Sequence, residues 1–450
     1  MTTGSADTST LHQVDVYERA ISISRRELED NSFSLAFLKS KVERACGANE
    51  FPLRLALLQR KQEEFSAEIA ICRDLCGQGE DSTPSIFEYR SRTCRGGERT
   101  NIVLIVPTGV GAAIGGHAGD AGPVAKLLGG VCDRLITHPN VVNGSDINEL
   151  PSNGLYVEGS TLTKLLMGTA KLIPTARNRL VVIIGSTRDE SLRALTVNTV
   201  NAARSCYGAE IVGIYSFPEL RIVAEKTDSG RASGTVRGLS PLISHLAQHR
   251  DLFDAVAIAS PVEVSGKIYK EYFQSRGEVV NPWGGAEALL THAISLIHNL
   301  PTAHAPIEWS PELAETDFGV VDERMAAEVI SSSYLQCVLK GLVRSPGLVT
   351  SSVDAGSVES LTAEDITAIV VPAGCLGLAT LAALYQGIRV IVVRENTSLM
   401  RNTLDLLPWG RGQMIEVENY WDAAGVIAAL RAGVDPYSVR RPLQQTPICV

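Results

Sequence analysis

The segment VPTGVGAAIGGHAGDAGPVAKLL gathers Gly109, Gly111, Gly115, Gly116, Gly119 and Gly122 within fourteen residues. It follows a β-branched run and leads into an Ala/Leu-rich stretch, so it reads as a strand-to-helix junction. Ligands of open α/β sheets bind at such junctions, outside the carboxyl ends of the strands, where helix N-termini offer free N–H groups. Glycines there let the main chain approach a phosphate or a developing oxyanion closely. A Walker A loop is excluded, because no Gly-Lys-Ser/Thr follows. Gly109-x-Gly111-x-x-x-Gly115 is only a loose variant of the dinucleotide fingerprint. The next strand runs into Thr137–His138 with no terminal acid for a ribose, so a nicotinamide cofactor fits poorly. Glycines serving helix–sheet packing alone would account for two or three of the six.

His117 and Asp120 stand among these glycines, spaced so that both can face one cavity. Histidine serves as a base near neutral pH, and a carboxylate can orient it or hold an ammonium group. Asp120 has a structural alternative as the N-cap of the helix that carries Pro123 in its first turn. In THPNVVNGSD, His138, Asn140 and Asn143 follow the second strand and belong on the same sheet edge, with Pro139 fixing the turn. Glu158, in LYVEGS, ends a third short strand and is a further acid. NPWGGAEALLTH places Asn281, Gly284 and Gly285 ahead of a helix bearing Glu287 and His292. VVPAGCLGLATLAAL repeats the strand–glycine–helix pattern with Cys375 at the helix start, where a thiol has a lowered pKa and can act as a nucleophile; packing is the competing role. Arg231, Arg237, Asp322, Glu323 and Arg324 read as a solvated face. No HExxH, no Cys/His quartet at zinc spacing and no G-x-S-x-G elbow is present, which leaves no metal site to assign.

These residues need a frame to hold them. From Thr100 onward, apolar runs at 101–107, 179–186, 209–216, 254–260, 366–373 and 388–393 alternate with helical stretches at 120–130, 190–206, 285–299, 322–342 and 376–386. Continuous apolar runs suit strands buried on both faces of a parallel sheet. Residues 12–78 show helical periodicity in YERAISISRRELED, SLAFLKSKVERACG and FPLRLALLQRKQEEFSAEIAICRDLCG. The expected fold is α/β, with mainly parallel sheets in two lobes and a helical N-terminal extension. The boundaries fall at 1–99 for the extension, 100–300 for the glycine-loop lobe and 301–450 for the second lobe.

The 450 residues, 45% hydrophobic and 20% charged, are ample for a buried core and exclude a disordered or collagen-like chain. A net charge of −9 argues against a general nucleic-acid coat protein, which should be basic, although a local basic site remains open. The first residues lack a basic n-region and an apolar h-region, and the most apolar stretch, 374–393, is interrupted by Gln386 and Arg389. The expected protein is cytoplasmic, without a secretory signal or bilayer span, and its nine cysteines are reduced thiols.

PTGVGAAIGGHAGDAGPVAKLL, THPNVVN, LYVEGS, NPWGGAEALLTH, VDERMAAEVISSSYLQCVLKGL and VPAGCLGLATLAAL resemble the core blocks of the DUF3326 family, over about residues 100–435. The N-terminal region and composition also resemble the seryl-tRNA-dependent transferases of valanimycin-type azoxy antibiotic pathways. That resemblance implies transfer of a seryl group from seryl-tRNA to the oxygen of an alkylhydroxylamine, with no cofactor. An aminoacyl ester is already activated, so the reaction needs a base, oxyanion donors and close placement of two substrates. His117 or His138 would be the base, Asp120 or Glu158 would hold the seryl ammonium, and the N–H groups around Gly115–Gly119 would take the oxyanion or a terminal phosphate. Arg90, Arg92, Arg95 and Arg99, helped by Arg25, Arg26, Arg60 and Lys61, would grip the RNA backbone. Against this, residues 1–100 carry 14 Lys+Arg and 16 Asp+Glu, so the region is not globally basic. The alternatives are a cofactor-independent small-molecule lyase or racemase and a nicotinamide-dependent oxidoreductase. A homo-oligomeric state stays open.

Overall fold

The computed structural model describes residues 14–24, 26–27, 34–60, 64–73, 85–93, 98–187, 189–307, 318–330, 333–350, 359–404, 407–443 and 445–446. The N-terminal region is built of strands, correcting the expected helical extension. β1 (Asp15–Ser24), β2 (Glu50–Arg60) and β3 (Glu64–Arg73) form an antiparallel unit, and helix α1 (Leu35–Ala45) lies between the first two along the chain. Of the three helices expected in 12–78, SLAFLKSKVERACG forms one, started by Ser34, whose Oγ accepts from Phe37 N at 3.2 Å, whereas most of the described residues of the other two are in β1, β2 and β3. In β3, Phe65, Ala67, Ile69 and Ile71 alternate at the strand period of two and are all buried. The charged residues that imitate the polar face of a helix are buried as well. Glu18, Arg54 and Glu68 join Arg231 in an ionic cluster, with Arg231 Nε on Glu68 Oε2 at 2.7 Å; Arg231 is thus buried against two carboxylates, correcting the solvated face expected for it.

The chain then enters a six-stranded parallel sheet through β4 (Asn101–Leu104), α2 (Gly122–Val131), β5 (Arg134–Thr137), a helical turn α3 (Pro139–Val142), a short β6–β7 hairpin (Asn143–Gly144, Ile147–Asn148) and β8 (Gly154–Tyr156). It next leaves this sheet for more than two hundred residues. Helix α4 (Gly159–Leu166) and β9 (Ala170–Ile173) lead to β10 (Arg179–Ile184), α5 (Glu190–Tyr207), β11 (Glu210–Ser216), β12 (Arg221–Lys226), β13 (Ala232–Arg237), α6 (Ser240–Gln248) and β14 (Ala255–Glu263). Helices α7 (Gly266–Gln274) and α8 (Gly284–His298), β15 (Thr302–Ile307), α9 (Ala326–Val329), α10 (Leu335–Leu342) and β16 (Gly347–Thr350) follow. The chain returns with β17 (Ile366–Pro372), β18 (Leu376–Gly377), α11 (Leu378–Gln386), β19 (Arg389–Val393), β20 (Met414–Val417) and α12 (Tyr420–Arg431).

The six-stranded sheet has the order β8-β5-β4-β17-β19-β20, all parallel. Counted along the chain this is the doubly wound order 3-2-1-4-5-6, with its topological switch point between β4 and β17. The second sheet has ten strands in the order β11-β10-β14-β12-β13-β1-β3-β2-β18, with β15 also on β14. It is mixed: β10, β11, β14 and β15 pair in parallel, whereas β13, β1, β3, β2 and β18 pair antiparallel. The nine-residue β14 joins the two halves, pairing β10 and β15 along its first part and β12 through Val262 and Glu263. The expected division at residue 300 therefore does not follow the sheets. Strands on both sides of that point share the six-stranded sheet, and β18 reaches across to β2.

Candidate active site

Two connected cavities lie along the carboxyl ends of the six-stranded sheet. The first, of about 180 Å³, is lined by His138, Glu158, Glu287, His292, His304 and Glu328, among others. The second, of about 190 Å³, is mostly apolar and lies against the loops after β4 and β17. Thr108, His138, Gly159, Ala288 and His292 line both and form the neck between them.

His138 and Glu158 arrive at the neck because each follows a strand of the sheet, β5 or β8. Glu158 is the N-cap of α4: its Oε2 accepts from Ser160 N at 2.9 Å and Thr161 N at 3.2 Å, and from Ser160 Oγ. Its Oε1 takes the Nδ1 proton of His292, from α8. Burial alone would raise the Glu158 carboxyl, but His292 and Ser160 outweigh it and hold the group down at about 2. This leaves a histidine oriented by a buried carboxylate. No hydrogen bond occupies His292 Nε2 among the described residues, and the ring lies against Gly159 at the neck. It is the arrangement of a general base whose imidazolium is stabilised from behind.

His138 has the opposite environment. Val106 N donates to its Nε2 at 3.1 Å, which assigns the proton to Nδ1. Burial pushes the imidazole down to about 4, with Glu158 opposing and His292 assisting. A neutral imidazole with a free N–H is an electrophilic donor rather than a base. Asn140 stiffens the same edge, with Nδ2 on Val106 O at 3.0 Å and Gly115 O at 2.9 Å, while Asn143 Nδ2 reaches Tyr156 Oη at 2.7 Å.

The other wall comes from α8 and the elements after it. Glu287 Oε2 and Ser260 Oγ bracket His304, at 3.0 Å from Nδ1 and 2.8 Å from Nε2. Ser260 is fully buried, so this Ser-His-Glu constellation holds His304 rather than presenting a nucleophile. Glu328 accepts from Ala118 N at 2.6 Å, Tyr272 Oη at 2.8 Å and Asn281 Nδ2 at 3.3 Å. Burial pushes its carboxyl up to about 7, so it can exchange a proton at neutral pH. Asn281 also anchors α8 through Oδ1, which accepts from Trp283 N at 3.0 Å and Gly284 N at 3.2 Å.

The residues expected from the glycine loop are placed differently. His117 faces away from both main cavities, with Nδ1 2.8 Å from Tyr272 Oη, and lines a smaller recess with Gly111, Gly116 and Arg324. Burial lowers its pKa. Asp120 does not cap α2, whose N-cap is Ala121; it folds back to accept from Gly115 N at 2.6 Å, and burial raises its carboxyl to about 7. The glycines serve close approach. A Cβ on Gly109 would sit 2.8 Å from Ala232 O, on Gly285 2.0 Å from the same oxygen, on Gly284 2.0 Å from Thr108 Oγ1, and on Gly119 3.0 Å from Gly144 Cα. Gly116 and Gly115 are as tightly placed, with a Cβ 2.2 Å from Ala112 O and 2.7 Å from Val106 Cγ1, so the packing role covers four of the six loop glycines instead of the two or three expected.

Cys375 lines the second cavity but precedes α11 by three residues, and burial pushes its thiol up to about 12, which removes the basis for a nucleophile there. Arg92 is consumed internally, donating to the carbonyls of Gln386, Ile366 and Gly387. Arg90 pairs with Glu88 at 2.9 Å and Arg99 with Glu359 at 2.6 Å. Arg95, Arg25 and Lys61, with the side chain of Arg60, lie outside the described residues. Six cysteines among the described residues are free thiols. Among the described residues no three His, Cys, Asp or Glu side chains group to hold a metal ion, and no helix is long and apolar enough to cross a membrane.

Glu328, His304, Ser260 and Tyr272 were not legible as site residues. Glu328 interrupts the apolar run MAAEVI, and His304 stands in the otherwise small and apolar strand TAHAPI. A lone polar residue inside a buried run was the available signal.

The family model for a protein of unknown function, DUF3326, matches residues 101–440. A protein of Synechococcus sp. described as an uncharacterized lipoprotein is 33% identical over 346 residues, covering 76% of this chain and 93% of the relative. No solved structure matches the chain.

Proposed function

For a chain that belongs to the DUF3326 family, we propose cofactor-independent acyl transfer, with a seryl group moved from seryl-tRNA to the oxygen of an alkylhydroxylamine. The observation that carries the reading is the Glu158–His292 dyad facing the neutral His138 at the neck of the two cavities. His292 Nε2 takes the proton of the acceptor hydroxyl as its oxygen attacks the ester carbonyl. The new acyl C–O bond forms, the bond to the ribose oxygen breaks, and His292 returns the proton to that leaving oxygen. Glu158 stabilises the imidazolium in between, and the His138 Nδ1–H donates to the oxyanion. Glu287, in the first cavity, supplies a carboxylate for the seryl ammonium.

The tRNA as donor rests on the sequence resemblance; of the arginines expected to grip it, Arg90, Arg92 and Arg99 are engaged with protein groups. The reaction with charged seryl-tRNA and an alkylhydroxylamine should give the O-seryl ester by mass spectrometry. Absence of that ester, or equal yield after ribonuclease treatment of the tRNA, overturns the donor. A second reading, a lyase or racemase, draws on Glu328 as another acid–base group in the same cavity. It requires deuterium uptake at a substrate carbon without any acyl donor. We place the protein in the cytoplasm with its charged tRNA. The lipoprotein name of the Synechococcus relative points to a membrane-anchored alternative, which cell fractionation resolves.

A further inference from the structure

The second cavity contains a cation that the dyad does not use. Lys164, on α4, is 8% exposed and lines this cavity. Its Nζ donates to Asn299 Oδ1 at 2.9 Å, and no carboxylate pairs with it among the described residues. Two carboxylates influence it from nearby, but Glu158 is engaged by His292 and Glu88 by Arg90. The other cations on the wall, Arg54 and Arg231, are already met by Glu18 and Glu68. A buried ammonium without a counter-charge is costly, and burial accordingly lowers Lys164 to about 8.

A second positive group converges on the same space. Helix α11 begins at Leu378 with no side-chain cap, and Leu378, Ala379 and Thr380 of its first turn line the cavity. The amino end of a helix favours an anion. The cavity also occupies the topological switch point, between the loops after β4 and β17, where open α/β sheets bind ligands. Around these groups the wall is apolar, with Leu162, Leu296, Val371, Leu376 and Met400. Lys164 stands five residues beyond Gly159 on α4, so it is about 7.5 Å along the helix from the neck.

We propose that the second cavity is a subsite for an anion borne on a short apolar chain, seated between Lys164 and the amino end of α11. It rests on the acyl-transfer reading only in making that chain the acceptor's tail, with its reactive end at the neck beside His292. The acceptor would then carry an anionic group remote from its hydroxyl.

Calorimetric titration of the full-length protein tests the subsite without any turnover. Hexanoate should bind, hexanol and hexylamine should bind at least about tenfold more weakly, and Lys164→Met should weaken hexanoate by about 10- to 100-fold. Hexyl phosphate distinguishes a phosphate-bearing tail from a carboxylate-bearing one. His292→Gln should reduce transfer by about 10²–10⁴-fold yet keep hexanoate binding, so loss of transfer and loss of the subsite are read separately. Equal binding of hexanoate and hexanol by the wild type overturns the proposal, whatever the fold of the Lys164 variant. So does a borohydride-trapped adduct of Lys164 with a short keto acid, which would make the amine a nucleophile.

Discussion

At the scale of single residues, His292 and Glu158 divide one task. The carboxylate holds the ring by Nδ1 and leaves Nε2 to the cavity, so removing either should remove the base while the cavities remain. His292→Gln is expected to reduce transfer by about 10²–10⁴-fold. Glu158→Gln should reduce it similarly and also lower stability by about 1 kcal/mol, since the carboxylate caps α4 as well. Steady-state turnover paired with thermal melting checks both effects; wild-type turnover in His292→Gln removes the dyad from the mechanism. Part of this pair was visible beforehand. Glu158 is legible as an acid at the end of a strand, whereas His292 is legible only as a histidine on a helix that starts with Gly-Gly, without a catalytic role. Their contact was not readable, because 134 residues separate them. His117 is the opposite case. A histidine among six glycines resembles a catalytic loop, but the glycines exist to let backbones touch, and the ring turns toward Tyr272.

At the scale of elements, α8 is the piece that assembles the site. It contributes Glu287 and His292, while its first turn lies against Ala232 and Thr108. Gly285→Ala would place a methyl 2.0 Å from Ala232 O, a backbone atom that cannot swing aside. The helix must move, at an expected cost of about 1–3 kcal/mol and a parallel loss of turnover as His292 leaves the neck. Gly266→Ala, with open space around its Cβ, should leave melting and turnover within error of wild type. If Gly285→Ala melts like Gly266→Ala, α8 is not held by that contact. The strands of the two parallel units were legible because strands buried on both faces read as continuous apolar runs. The N-terminal strands were not. In β1 to β3, Glu18, Arg54 and Glu68 turn inward to meet Arg231, and their spacing along the chain copies a helix with one charged face. An ion pair between strands so far apart in sequence leaves no local signature.

At the scale of the whole molecule, the buried titratable groups set a pH profile for stability with three regimes. Glu158 and Glu18 are held at about 2 in the folded protein against 4.5 ordinarily; burial opposes this in both, and His292 or the arginines prevail. Their contribution is complete above about 4.5 and is lost as pH falls toward 2. Asp120 and Glu328 are raised by burial to about 7, so the folded state holds their protons longer, and stability falls as pH rises from about 4 to 7. His138 and His298 are lowered by burial to about 4, so stability instead falls as pH drops from 6.5 to 4. The last two slopes oppose each other between about 4.5 and 6.5 and should nearly cancel, leaving a plateau there, a steep loss below 4 and a small decline toward 7. Asp120→Asn/Glu328→Gln removes one of the opposing slopes. The variant's stability should rise with pH across the plateau and exceed the wild type's by on the order of 1–3 kcal/mol at pH 8. Urea unfolding at pH 3, 5, 6.5 and 8 measures this directly. Parallel profiles for variant and wild type would show that neither carboxyl carries a proton into the neutral range, and Glu328 would then be a fixed anion in the first cavity instead of an acid.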